Sequence, residues 1–162
     1  MHCIAGVLLV ADFALLWILD RTVVVEGLDY VAWASWFVAL ILLCLPMVTF
    51  RRKGQVPSGK GYVNTEALVD TGIYAVVRHP QYLGWMLMYL VVLLFNPNWV
   101  LAMLGILGVA CVYWFTRQEE QLLVEKFGES YRRYMQAVPR FNLAAGIIQL
   151  LLRRRVEDRG TP

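Results

Sequence analysis

Four long, almost uncharged apolar stretches set the limits on what this chain can fold into. They run over about residues 4–19, 30–50, 80–95 and 99–117. About 20 helical residues are needed to cross ~30 Å of hydrocarbon. The charged residues fall between these stretches, in clusters at 51–60, 117–140 and 153–159. With 59% of 162 residues hydrophobic and a mean hydropathy of +0.56, the chain is more apolar than a soluble domain of this length. The pattern predicts an all-α integral membrane protein. It should have about four transmembrane helices and a cytoplasmic C-terminal helical segment, in a single domain over residues 1–162.

The first run lacks a basic leading segment and reads as a retained span rather than a cleaved signal peptide. Asp12 lies in its middle. Such an acid is either a polar residue satisfied inside the bundle or a substrate or proton site. An acidic turn, Glu26 to Asp29, leads into the second run, where Trp33 and Trp36 suit an interfacial aromatic belt. Pro46 is placed to kink that helix. A basic loop follows, with Arg51, Arg52, Lys53 and Lys60. Its Gly59–Lys60–Gly61 is too short for a phosphate loop. Residues 63–70 read as a short helix capped by Asn64 or Thr65. Pro80 suits the first turn of the third helix, which puts His79 at its cap and Tyr82 in that turn. Asn96–Pro97–Asn98 is a turn, and the fourth helix should continue through Phe127 and stop at Gly128. Leu143 to Leu152 is apolar but too short to span. With Arg153–Arg154–Arg155 behind it, it suits a helix lying in the membrane interface.

Basic residues collect in the loop after the second run and towards the C-terminus. The positive-inside rule then puts both termini in the cytoplasm. The host membrane would be a bacterial or archaeal cell membrane, or the endoplasmic reticulum in a eukaryote. A net charge of +3, without a basic aromatic-studded helix, gives no reason to expect nucleic acid. Cys3, Cys44 and Cys111 form no CxxC and read as small apolar residues. His2 and His79 alone cannot build a histidine metal site.

The polar chemistry collects in Gly72 to Gly84, which sets Arg78, His79, Tyr74 and Tyr82 around Pro80. Counted back through the 96–98 turn, Pro80 is level with about residue 113, and Glu119 lies roughly 9 Å beyond at ~1.5 Å per residue. The His79 region and Glu119–Glu120 should therefore meet at one face of the membrane. Adjacent helical residues are ~100° apart, so the two carboxylates cannot both face such a pocket. Plain surface ion pairs, Arg117 with Glu120 for example, remain an alternative. A ligand carrying an ammonium, hydroxyls and a carboxylate would match these groups.

The series Leu68, Gly72, Tyr74, Arg78–His79–Pro80, Tyr82, Gly84, then Glu119–Glu120, Phe127–Gly128, Tyr131 and Tyr134 resembles the isoprenylcysteine carboxyl methyltransferase family. Phospholipid N-methyltransferases are relatives with a similar C-terminal pattern. The resemblance covers about residues 60–141. It implies S-adenosylmethionine as cofactor, in a region spanning about 68–141, bound by Gly72, Tyr74, His79, Tyr82, Glu119 and Glu120. It also implies direct methyl transfer, with Arg78, Arg117 or Arg140 holding an anionic acceptor and a nearby Glu or His, Glu119 among them, able to take the proton of an amine acceptor. Aromatic faces at Tyr74, Tyr82 or Trp85 could meet the sulfonium.

The chain is shorter than the eukaryotic carboxyl methyltransferases, and Val138–Pro139–Arg140–Phe141 matches only loosely. The acceptor therefore stays open: an isoprenylcysteine-like carboxylate, a lipid amine or a thiol, reached from the membrane lipids. Oligomeric state is not indicated. Sterol reductases, which use NADPH, share an Arg-His-Pro-x-Tyr-x-Gly stretch but have many more spans. A non-enzymatic helical membrane protein is the remaining alternative.

Overall fold

The computed structural model describes residues 2–20, 26–53 and 68–160. Among them all regular structure is helical. Six α-helices follow one another: α1 His2–Ile18, α2 Leu28–Lys53, α3 Pro80–Phe95, α4 Trp99–Phe127, α5 Glu129–Ala137 and α6 Leu143–Gly160, with a 3-10 turn at Gly72–Ala75 before α3. The α3 bounds and the end of α4 at Gly128 agree with the sequence reading. α2 passes through Pro46 without ending there. The expected short helix at 63–70 lies largely outside the described residues.

Among the described residues, two helices are long and apolar enough to cross a membrane, Leu28–Thr49 and Trp99–Phe127. The apolar parts of α1 and α3, Ile4–Ile18 and Pro80–Phe95, are shorter. At ~1.5 Å per residue, the 16 residues of α3 reach about 24 Å.

The chain forms two compact units, one of residues 1–43 with 81–120 and the other of 44–80 with 121–162. The division falls within α2, at the head of α3 and within α4.

In the first unit, α1, α3 and α4 pack around Ala5, Tyr89, Val112 and Phe115. The Tyr89 hydroxyl donates to the Ala5 carbonyl at 2.6 Å, and its ring lies against Gly108. At Gly84, α3 lies close against α2. A Cβ there would sit 2.9 Å from Leu43 Cγ and 3.2 Å from the Ala39 carbonyl oxygen. The 96–98 turn meets the end of α1. Asn96 donates to the Leu19 carbonyl at 2.8 Å and Asn98 to that of Asp20 at 3.4 Å. Helix C-termini leave carbonyls without intrahelical partners, and these two asparagines supply donors to them. Trp33 of α2 meets Phe95 edge-on, 5.2 Å between ring centroids. Exposed Trp17, Tyr30 and Trp99 sit at the same helix ends, as in an interfacial aromatic belt.

In the second unit, Tyr131, Tyr134 and Val138 are the buried centre, packed on by Leu68, Leu123, Val124 and Phe127. Gly128 allows the chain to turn from α4 into α5: its φ is 57°, a region that side chains with a Cβ rarely enter.

Candidate functional site

Within the second unit, the stretch leading to α3 is built from backbone contacts. Gly72 opens the 3-10 turn at a φ of 65°. The Val76 and Val77 amides return to the Ile73 carbonyl at 3.1 and 3.0 Å. The chain then extends, and the Arg78 amide donates to the Pro139 carbonyl at 3.0 Å and the His79 amide to that of Arg140 at 3.3 Å. Two segments distant in sequence are thereby laid side by side. Arg78 and His79 are 8% and 6% exposed, and the His79 ring lies 6.2 Å from that of Phe141.

Tyr74 is buried, and its carbonyl accepts the Tyr134 hydroxyl at 2.7 Å. Burial above all, then the neighbouring Tyr131 and Tyr74, pushes the Tyr134 phenol well above the ordinary tyrosine range, while Arg78 pulls the other way. Tyr134 therefore stays a neutral donor. On the other side of the stretch, Gly146 of α6 lies directly against the Val76 carbonyl. Four of the sequence-named residues, Tyr74, Arg78, His79 and Arg140, thus fall in one neighbourhood, with Gly72 at its edge.

Tyr82, Glu119 and Glu120 belong to the first unit. Tyr82 packs beside the Ala5–Tyr89 cluster. Of the two carboxylates, Glu120 is buried at 4% exposure, Glu119 is half-buried and Arg117 is exposed. The first unit also carries an apolar groove of about 440 Å³ lined by Gly6, Val7, Leu9, Val10 and Trp85. Asp12 is fully buried, and neither carboxylate oxygen has a hydrogen-bond partner among the described residues. Among the described residues, no group of three or more His, Cys, Asp or Glu side chains gathers as metal ligands would.

Sequence reasoning did not single out Tyr134 or Phe141 as parts of the site, nor the pairing of 78–79 with 139–140. The first two carry a weak signal in their spacing after Gly128. The pairing runs through main-chain groups and leaves no trace in side-chain identity.

Two helices long and apolar enough to span a membrane and a buried Arg–His pair before α3 define the described residues as an all-helical protein of membrane-compatible build. The phospholipid methyltransferase family matches residues 30–130, more than half of the chain, and the protein belongs to that family. Curated relatives agree with the resemblance drawn from residues 68–134. A protein-S-isoprenylcysteine O-methyltransferase of Schizosaccharomyces pombe is 35% identical over 114 residues, covering 62% of this chain and 46% of its own. The Homo sapiens protein of that name is 37% identical over 82 residues, 47% of this chain and 27% of its own. The Xenopus laevis one is 28% identical over 131 residues, 74% and 44%. The chain thus spans less than half the length of these relatives. No solved structure matches it.

Proposed function

We propose that this protein is a membrane methyltransferase that uses S-adenosylmethionine to methylate a lipophilic acceptor. The observation that carries the reading is the buried Arg78–His79 pair, bonded through its backbone to Pro139 and Arg140, in a chain of the phospholipid methyltransferase family. An imidazole and a guanidinium adjacent in sequence and largely out of water are suited to hold a carboxylate through charge-assisted hydrogen bonds.

Within the second unit the groups present fit part of the cofactor: Arg78 and His79 offer N–H groups to a carboxylate, and Tyr74 offers an aromatic face. In this reading Gly72, Tyr74, His79, Tyr82, Glu119 and Glu120 bind the cofactor, in a region over about 68–141. Bound there, S-adenosylmethionine supplies a methyl group already activated by its sulfonium. The protein's work is then mainly to orient the acceptor and exclude water. Arg78 and Arg140 hold an anionic acceptor, bidentately where a carboxylate allows it. Glu119 takes the proton when the acceptor is an amine.

About four spans, both termini in the cytoplasm and one functional domain over 1–162 complete the proposal. The isoprenylcysteine named for the curated relatives puts a prenylated cysteine carboxylate first among acceptors, ahead of lipid amines and thiols. Calorimetric titration with S-adenosylhomocysteine tests the cofactor, and labelled S-adenosylmethionine offered with prenylated cysteine, phosphatidylethanolamine and a lipophilic thiol tests the acceptor. Neither heat nor thermal shift with S-adenosylhomocysteine would refute the methyltransferase reading.

A further inference from the structure

Helix α6 has two unlike faces. Leu143, Gly146 and Leu150 share one side at helical spacing. There Gly146 is buried, and an added Cβ would run into the Val76 carbonyl. The helix therefore rests on the backbone that leads to Arg78. Ile147, Ile148, Leu151 and Leu152 form the other side, at 50%, 57%, 56% and 57% exposure. Arg155 continues that stripe one turn further. Arg153 and Arg155 are exposed, and Arg154 stands between them in sequence. The helix starts just after the Pro139 and Arg140 carbonyls that accept the Arg78 and His79 amides. Its first turn is held by the Asn142 side chain, which accepts the Ala145 amide at 3.0 Å.

We propose that the outer face of α6 docks on an anionic bilayer surface, and that this docking steadies the backbone of residues 76–79. The apolar part, Leu143–Arg153, is too short to cross ~30 Å of hydrocarbon and long enough to lie in its boundary. An exposed apolar segment followed by a basic turn can seat its apolar part in the bilayer boundary and its arginines among the headgroups. Basic side chains near an anionic surface are drawn to it. That complementarity selects the headgroup layer as occupant: Arg153, Arg154, Arg155 and Arg159 outnumber Glu157 and Asp158, leaving a net positive charge that an uncharged apolar partner would not meet. A helix seated in this way fixes residues 139–142 at its head and the Val76 carbonyl under Gly146, so both supports of the 76–79 segment are held. Because this inference rests on reading that segment as part of the cofactor site, anionic lipid should also tighten cofactor binding.

The test uses the full chain in nanodiscs of phosphatidylcholine alone, or of phosphatidylcholine with phosphatidylglycerol. Hydrogen exchange at the amides of residues 76–79 is the primary readout, because local opening sets its rate. Exchange is expected to slow roughly fivefold in the anionic discs. A variant with Arg153→Gln, Arg154→Gln and Arg155→Gln should lose that difference. Equal exchange in both lipids would overturn the proposal. So would exchange that follows the number of protein copies per disc and not lipid charge, since the stripe would then be a contact between copies. S-adenosylhomocysteine binding is measured in the same discs. Lipid-dependent exchange without binding in either disc would sink the cofactor reading and leave the docking intact.

Discussion

His79 and Glu120 are the residues on which the cofactor reading turns. Each is almost fully buried, so a ligand that reaches either would interact with it where water screens little. Replacing His79 with Ala is expected to weaken S-adenosylhomocysteine binding about tenfold, ~1.4 kcal/mol, without changing helix content. Glu120→Ala should weaken it more than Glu119→Ala, because Glu120 is the deeper of the two. Calorimetry on the three variants ranks them, and equal affinities throughout would mean the site lies elsewhere. Helical geometry sets the two carboxylates ~100° apart. Which of them is the more buried depends on how α4 is rotated, a property of packing and not of the Glu–Glu pair.

Tyr134 gives a separate residue-scale test. Its hydroxyl bond to the Tyr74 carbonyl should contribute about 1 kcal/mol, so Tyr134→Phe should lower the thermal midpoint. Its folded pKa is raised above the ordinary value of 10.0. Linkage then makes its stabilising share complete at pH below that value, where folded and unfolded chains both keep the proton. The share is lost as pH climbs from there towards the folded pKa, because the unfolded chain ionises first. A midpoint that falls between pH 9 and 11 in the parent and falls less in Tyr134→Phe is the expected result.

The elements were legible where apolar runs met strong punctuation. α3 starts at Pro80 and stops before Asn96–Pro97–Asn98, and α4 stops at Gly128, because proline and glycine act locally on backbone conformation. α5 was not foreseen as a helix. Its residues Glu129–Ala137 are mostly polar, and the segment gains its order from packing Tyr131 and Tyr134 into the second unit. α6 extends beyond its apolar part, to Gly160, through an arginine run that read as the end of the segment.

Gly84 puts the packing of these elements to a direct test. A valine there would drive a branched Cβ into Leu43 and the Ala39 carbonyl. Overpacking of this kind costs typically ~1–3 kcal/mol. Gly6 is the control, because a Cβ there would meet Trp85 at an ordinary 3.5 Å and alanine favours the helix by up to ~1 kcal/mol. In detergent, Gly84→Val should lower the thermal midpoint while Gly6→Ala holds or raises it. Equal midpoints for the two variants would mean that α2 and α3 do not approach closely at Gly84.

For the whole molecule, orientation in the bilayer decides whether the proposed site can work, since the cofactor is water-soluble and the acceptor is not. Arg51, Arg52 and Lys53 close α2, Lys60 follows in sequence and the C-terminal third carries most other basic residues, whereas the turn around Glu26 and Asp29 and the Asn-Pro-Asn turn carry almost none. Basic loops remain in the cytoplasm, which predicts that residue 149 faces the cytoplasm and residue 26 the opposite side. Both positions are exposed in the structure. Single cysteines at Glu26 and Gln149, in a chain whose own Cys3, Cys44 and Cys111 are replaced by serine or alanine, can be probed with a membrane-impermeant maleimide. On intact cells Glu26→Cys should label and Gln149→Cys should not, with the latter labelling once the cells are opened. The reverse pattern would turn the Arg78–His79 stretch away from the cytoplasmic supply of S-adenosylmethionine. Labelling of both from outside would require a different number of crossings between residues 26 and 149. Only the first outcome joins a polar cofactor site at the water boundary to an acceptor delivered through the lipid.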